Sequence, residues 1–238
     1  MFAKTTFKLA IVTISLFIFS YAHAGSILLF DDLVSSQNTW SDALTGLGHS
    51  VTGVSDGSSF ATAISSGSWD LVVAQFDNFT YPATVSPFSA YISSGGKAIF
   101  SHWGTEIDTA FQVTQFGTNH NTLTLGTLFD DGLSSPVLNL SNSVGYYIYS
   151  RSFDLLADAY SVASFENGKA GIVIGNGGKT IMNGFIGETL NYADEVRLYQ
   201  NQVSYLLNSQ SVPEPGTMLL LGSGLLGLLG MARRRIEK

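Results

Sequence analysis

Apolar residues in this chain fall into short blocks, and the spacing of the blocks alternates between two periods. Ile27-Leu28-Leu29-Phe30 is an unbroken run that ends in Asp31-Asp32. A run this short and continuous fits a strand buried on both faces. Trp40, Ala43, Leu44 and Leu47 then recur at helical spacing, with Thr39 placed to cap the helix and Gly48 to end it. Residues 50–54 predict a weak second strand, and Phe60, Ala63 and Ile64 a short helix after Ser58-Ser59. Residues 69–75 predict a third strand centred on Leu71-Val72-Val73-Ala74. Val85, Phe88 and Ile92 predict a third helix stopped by Gly95-Gly96, and residues 97–101 a fourth strand. The order β-α-β-α-β-α-β with short links predicts parallel strands joined by right-handed crossovers. The fold class is α/β, an open doubly wound, mostly parallel sheet of flavodoxin-like outline.

The pattern changes after Trp103. Residues 105–112 read as one or two helical turns, and residues 122–165 as polar chain with short β-rich pieces such as Tyr146-Tyr147-Ile148-Tyr149. Asn167-Gly168 and Asn176-Gly177 separate residues 161–165, 170–174 and 179–185. Both predict tight hairpins, because Asn-Gly supplies the positive φ angles of primed turns. Val196, Tyr199, Val203 and Leu206 mark a final helix face, and no internal repeat is visible.

The two ends carry a different kind of pattern. Lys4 and Lys8 precede an apolar run over residues 9–19, and Ala22-His23-Ala24 then forms a small-x-small site before Gly25. These are the three parts of a secretory signal peptide, with cleavage after Ala24; the competing reading is a retained membrane anchor. At the other end come Pro213-Glu214-Pro215, an apolar stretch over residues 217–232 and Arg233-Arg234-Arg235. That order resembles the PEP-CTERM sorting signal. The resemblance implies processing near the motif by exosortase, a membrane protease-transpeptidase, and delivery to the cell surface or into exopolysaccharide, the setting of a biofilm. The prolines disfavour helix before the apolar run. At 16 residues the run is short of the roughly 20 that a transmembrane helix needs. The arginines, like Lys4 and Lys8, stay cytoplasmic under the positive-inside rule, which places residues 25–212 on the far side of the membrane; the resemblance implies the inner membrane of a Gram-negative-type bacterium. An unprocessed tail anchor is the competing reading. The expected organisation is therefore a signal peptide over 1–24, one α/β domain over 25–209 and a sorting tail over 210–238.

Charge and composition narrow the partners. Residues 25–212 carry five basic and sixteen acidic side chains, a net charge of −11. Such a domain has no electrostatic reason to bind nucleic acid or anionic lipid. The chain has no cysteine, which excludes disulfides and a thiol nucleophile.

A second resemblance rests on Trp69-Asp70-Leu71-Val72-Val73 and on residues 88–102, where a helix ends in Gly95-Gly96 and a strand ends in His102. This stretch resembles class I glutamine amidotransferase-like domains, and more closely their non-amidotransferase, ThuA-like branch. Residues 165–185 look like the end of such domains. The family's catalytic cysteine would stand on the turn that here reads His102-Trp103-Gly104-Thr105, so amidotransferase and cysteine peptidase activity are excluded. No Gly-x-Ser-x-Gly elbow replaces it. Residues 175–180 mimic a phosphate loop but lack its first glycine and lead into a strand.

Asp31, Asp32, Gln75, Asp77, His102 and Trp103 are the candidate ligand edge, because strand carboxyl ends converge where such sheets bind ligands. A histidine with carboxylates there could hold a metal or act as an acid–base pair. No metal-spaced pair exists, and Asp130-Asp131-Gly132 reads as a plain turn rather than a calcium loop. Tyr146, Tyr147 and Tyr149 with Trp103 could stack a sugar, although alternating aromatics are commonly half core. The expectation is a surface or matrix protein with a non-catalytic domain and no metal or cofactor. Its partners are signal peptidase and exosortase during processing, then exopolysaccharide. The alternatives are an extracellular hydrolase or sugar-modifying enzyme using Asp31, Asp32 and His102, and a carbohydrate-binding module.

Overall fold

A computed structural model describes residues 25–32, 38–76, 81–102, 104–141, 150–187 and 189–208. The expected signal peptide, the sorting tail, Asp77, Trp103, Tyr146, Tyr147 and Tyr149 lie outside those residues.

The first part follows the predicted alternation. β1 (Ser26–Asp31), α1 (Thr39–Gly46), β2 (Ser50–Val54), α2 (Gly57–Ser66), β3 (Leu71–Phe76), α3 (Pro82–Ser93) and β4 (Ala98–His102) succeed one another. A 3-10 turn over Asp108–Phe111 follows, then β5 (Val113–Thr118), β6 (Thr122–Leu125), β7 (Val137–Asn139), β8 (Arg151–Leu155), β9 (Tyr160–Phe165), β10 (Ala170–Gly175), β11 (Thr180–Asn183) and α4 (Tyr192–Asn208). The strands make one mixed sheet in the order β2-β1-β3-β4-β11-β10-β9-β6-β7, with β8 joining β10 to β5. Its first five strands are parallel, and the remainder is antiparallel. The sequence pattern places 179–185 only as a hairpin strand. The structure also makes it the fifth parallel strand, paired with β4.

Two cores flank the sheet, because successive side chains of a strand point to opposite faces. Ile27, Leu29, Leu71, Val73, Ile99 and Ile181 pack against α1 and α4. Leu28, Phe30, Val72, Ala74, Phe100 and Met182 pack with Phe60, Phe88 and Ile92 of α2 and α3. β3 and β4 are buried at every position, which is why their sequences run apolar without alternation. Each fully buried side chain of this size contributes about 1.5–3 kcal/mol.

Several local expectations are corrected. Thr39 does not cap α1; Asn38 precedes the helix, and the Thr39 hydroxyl donates instead to Glu195 Oε1 at 2.9 Å. α2 is capped by Asp56, which accepts from the Ser59 amide, so it begins before Ser58. In the 166–169 loop only Gly168 has positive φ, so that hairpin is not built on a primed Asn-Gly turn; at the next hairpin Asn176 and Gly177 both have it. On α4, Val196 sits at the margin, while Glu195, Leu198 and Gln202 share the buried face with Tyr199, Val203 and Leu206.

Candidate functional site

The carboxyl ends of β1, β3 and β4 do converge, but the register divides the candidate residues between the two faces. Asp31 pairs with Gln75, Gln75 with Ser101, and Ser101 with Asn183, so the four stand in one row across the sheet. Gln75 follows Leu71 and Val73 on the α1–α4 face. His102 follows Ala98 and Phe100 on the α2–α3 face, one position beyond the row and opposite Phe76. Alternation along the strands therefore puts the sheet between His102 and the Asp31–Gln75 row.

On the α1–α4 face the row is knitted into the packing of α1 and α4. Gln75 Oε1 accepts from Trp40 Nε1 at 3.0 Å and from the Gly187 amide at 3.0 Å. The Trp40 ring stacks on Tyr199, with centroids 3.6 Å apart. Asn183 Nδ2 donates to Ser101 Oγ and to Gln202 Oε1, both at 3.2 Å. Gln75, Ser101, Asn183, Glu195 and Gln202 are all buried. Buried polar groups need such partners, and these bonds join the helices to the sheet.

On the other face His102 is 2% exposed. Its Nδ1–H donates to the Phe76 carbonyl at 3.0 Å, and its Nε2 lies 3.3 Å from Glu106 Oε2. A Cβ at Gly104 would come within 2.3 Å of His102 Nε2 and 2.4 Å of Glu106 Oε2, so only a glycine fits over the pair. Burial holds the ring below the ordinary histidine value. Arg151 adds to that shift, while the Phe76 carbonyl and Glu106 oppose it. Asp32 accepts from the Tyr81 hydroxyl at 3.0 Å, and Tyr81 packs edge-on against Phe30 and Phe76.

Arg151, unmarked in the sequence, is the anchor of this corner. Its Nε donates to the His102 carbonyl at 2.6 Å and its Nη1 to Asp108 Oδ2 at 2.7 Å. Arg151 is 1% exposed and Asp108 3%. Burial pushes the Asp108 carboxyl up and the Arg151 guanidinium down, and their mutual attraction opposes both shifts. Arg151 Nη2 and Asp108 Oδ1 have no hydrogen-bond partner among the described residues. No group of three or more His, Asp or Glu among the described residues is placed to hold a metal.

A second polar cluster escaped the sequence reading. His120 Nε2 lies 3.0 Å from Ser152 Oγ, and His120 Nδ1 lies 3.7 Å from Glu166 Oε1. The order hydroxyl, imidazole, carboxylate has the outline of a nucleophile relay. Ser152 is fully buried within β8, however, so no substrate atom reaches its oxygen. Glu166 is held by the Asn121 and Thr122 amides, and Asn167 Nδ2 donates to Ser152 Oγ. The cluster ties the β9–β10 loop to residues 120–122 and β8. Its members lie far apart in sequence without a motif. Asp130-Asp131-Gly132 forms a turn with positive φ at Gly132, paired to Arg197.

Comparison with known proteins adds two findings. Residues 211–235 match the PEP-CTERM protein-sorting motif. That motif implies an exosortase-processed protein exported for surface sorting. No helix among the described residues is long and apolar enough to cross a membrane. No curated protein matches the chain in sequence. A putative GMP synthase subunit from Thermoplasma acidophilum is similar in structure, with TM-score 0.58 and 12% identity over 80% of this chain and 98% of that one. A glutamine amidotransferase from Thermotoga maritima gives TM-score 0.51 and 11% identity over 78% and 99%. A β-galactosidase from Rahnella sp. R3 gives TM-score 0.53 and 16% identity over 80% of this chain, which spans only 32% of that enzyme. At these identities the likeness shows the fold alone: an amidotransferase-like α/β domain joined in one chain to a PEP-CTERM sorting motif.

Proposed function

We propose that the domain is a non-catalytic interaction module, carried to the cell surface or its surrounding matrix by the sorting tail. One observation carries the reading: the sheet stands between His102 and the Asp31–Gln75 row, so His102 shares a face with neither Asp31 nor Gln75. The absence of cysteine from the chain supports it, because the amidotransferase-like fold is left without its thiol. So does the burial of the His102 ring, whose Nδ1–H is committed to the Phe76 carbonyl. Signal peptidase removes residues 1–24, the tail is held briefly in the inner membrane, and exosortase then releases the body. Of the hydrolase alternative's residues, Asp31 falls on the face away from His102.

Thermal melts of the protein and of His102→Asn, each with zinc, calcium or a chelator, test this. Both proteins should melt independently of metal. A parent melt raised several degrees by one metal, with no rise in His102→Asn, would overturn the non-catalytic reading.

A further inference from the structure

At the end of the sheet opposite His102, the C-terminal turns of α2 and α3 leave a groove of about 480 Å³ whose lining includes Trp69, Tyr91, Pro87, Ala90, Ser65 and Ser94. The two aromatic rings are half-buried and Ala90 is exposed. Their polar atoms are turned into the protein: Trp69 Nε1 donates to the Ala63 carbonyl at 3.0 Å, and the Tyr91 hydroxyl lies 3.2 Å from the Trp69 carbonyl and 3.3 Å from that of Lys97. What remains for the groove is ring carbon.

The rings are also backed by bare main chain. A Cβ on Gly67 would stand 2.4 Å from Trp69 Nε1, and one on Gly96 2.4 Å from Tyr91 ring atoms. Rings seated this closely on backbone are fixed before any ligand arrives, which lowers the ordering cost of binding. The hydroxyl protons of Ser65 and Ser94 are committed to the Ala61 and Tyr91 carbonyls, each at 2.7 Å, so their oxygens are left to accept. Among the residues that line the groove there is no charged side chain.

These features select a flat ligand with an apolar C–H face, peripheral O–H donors and no charge. We infer that the groove is a binding subsite for a neutral pyranose unit of a polysaccharide. An aromatic ring stacks on the C–H face of such a sugar, and hydroxyl rims accept from its edges. A uronate or phosphosugar would meet no cation in the groove and a domain of net charge −11. The subsite deepens the interaction reading above.

Calorimetric titration of the purified protein with cellohexaose, maltohexaose and xylohexaose tests it, with oligogalacturonate as the charged comparator. At least one neutral hexaose should bind, and oligogalacturonate should not. Ala90→Leu, which fills the groove from an exposed helix position, should weaken binding by about tenfold or more. Trp69→Leu should do the same where circular dichroism shows it folded; Ala90→Leu decides alone where it does not. Binding of none of the three neutral probes, equal binding of oligogalacturonate, or binding unchanged in Ala90→Leu overturns the subsite. The length of the bound hexaose after incubation separates this inference from the one beneath it. Shortened products overturn the non-catalytic reading and leave the subsite standing, whereas absent binding removes the subsite alone.

Discussion

Arg151→Met should be among the most damaging single changes in the domain, and its partner Asp108 explains why. The two side chains are 1% and 3% exposed and meet at 2.7 Å. Removing one member of a buried pair leaves an uncompensated charge, at a cost of about 3–5 kcal/mol. Arg151→Met also takes away the donor to the His102 carbonyl, which adds roughly 1–3 kcal/mol if nothing replaces it. Asp108→Leu should likewise cost about 3–5 kcal/mol, since it strands the guanidinium. The double variant strands no charge and keeps only the His102 carbonyl penalty, so it should be more stable than either single variant. Urea unfolding of the four proteins gives the coupling, expected at about 2 kcal/mol or more. The pH dependence has a fixed sign. Without Arg151 the Asp108 carboxyl rises further above its unfolded value. The folded state then holds a proton that the unfolded state has lost, and the stabilisation this brings fades as pH rises through the folded value. The deficit of Arg151→Met should therefore shrink as pH falls through the raised folded value of Asp108. A cost below about 1 kcal/mol, or additive single effects, would refute the buried-pair argument.

His102→Asn should cost about 1 kcal/mol at neutral pH, from the lost bond to the Phe76 carbonyl. Because burial depresses the folded ring's value, the parent should lose stability as pH drops below about 6.5, and the variant should show a flatter profile in urea midpoints. Gly184→Ala would place a Cβ 2.2 Å from the Arg151 carbonyl and 2.9 Å from that of Gly171, both strand backbone. A loss of roughly 3 kcal/mol or more in denaturant unfolding is expected, and a neutral result would mean that the strands can part there. Replacing Pro213, Glu214 and Pro215 with alanine should leave export intact and hold the protein in the inner membrane. Equal surface yields on fractionation would discount the motif. Intact mass of surface-released parent protein should show residues 1–24 and the arginines at 233–235 gone.

Much of the parallel half was legible because its strands are short continuous apolar runs between helical periods. β1, β3 and β4 are buried on both faces, and their apolar runs Ile27–Phe30, Leu71–Ala74 and Ala98–Phe100 are unbroken. The pairing of β4 with β11 was not legible, since it joins residues 98–101 to 180–183 across the intervening antiparallel strands. The division of the candidate edge between the two faces was hidden for a related reason. Which face a side chain takes depends on the count along each strand, and Gln75 and His102 differ by one position in register. Glu195 and Gln202 look like solvent positions when taken one residue at a time. They lie at helical spacing with Leu198 and Leu206, and only the presence of Thr39 and Asn183 opposite explains their burial. Arg151 and His120 carry no local signal at all, because their partners come from distant parts of the chain.

The end of α4 sets a mechanical limit on processing. The helix is described to Asn208, with Leu206 fully buried, and Pro213 follows five residues later. A fully extended chain gains at most about 3.3–3.6 Å per residue, so the motif cannot stand more than roughly 18 Å from the folded body. A processing enzyme reaching Pro213-Glu214-Pro215 must therefore work beside the surface around α4's last turn, within the width of two helices. Spacer length becomes a setting that can be tuned independently of the motif. Deleting a few residues between Asn208 and Pro213 should slow processing, and adding flexible ones should restore it.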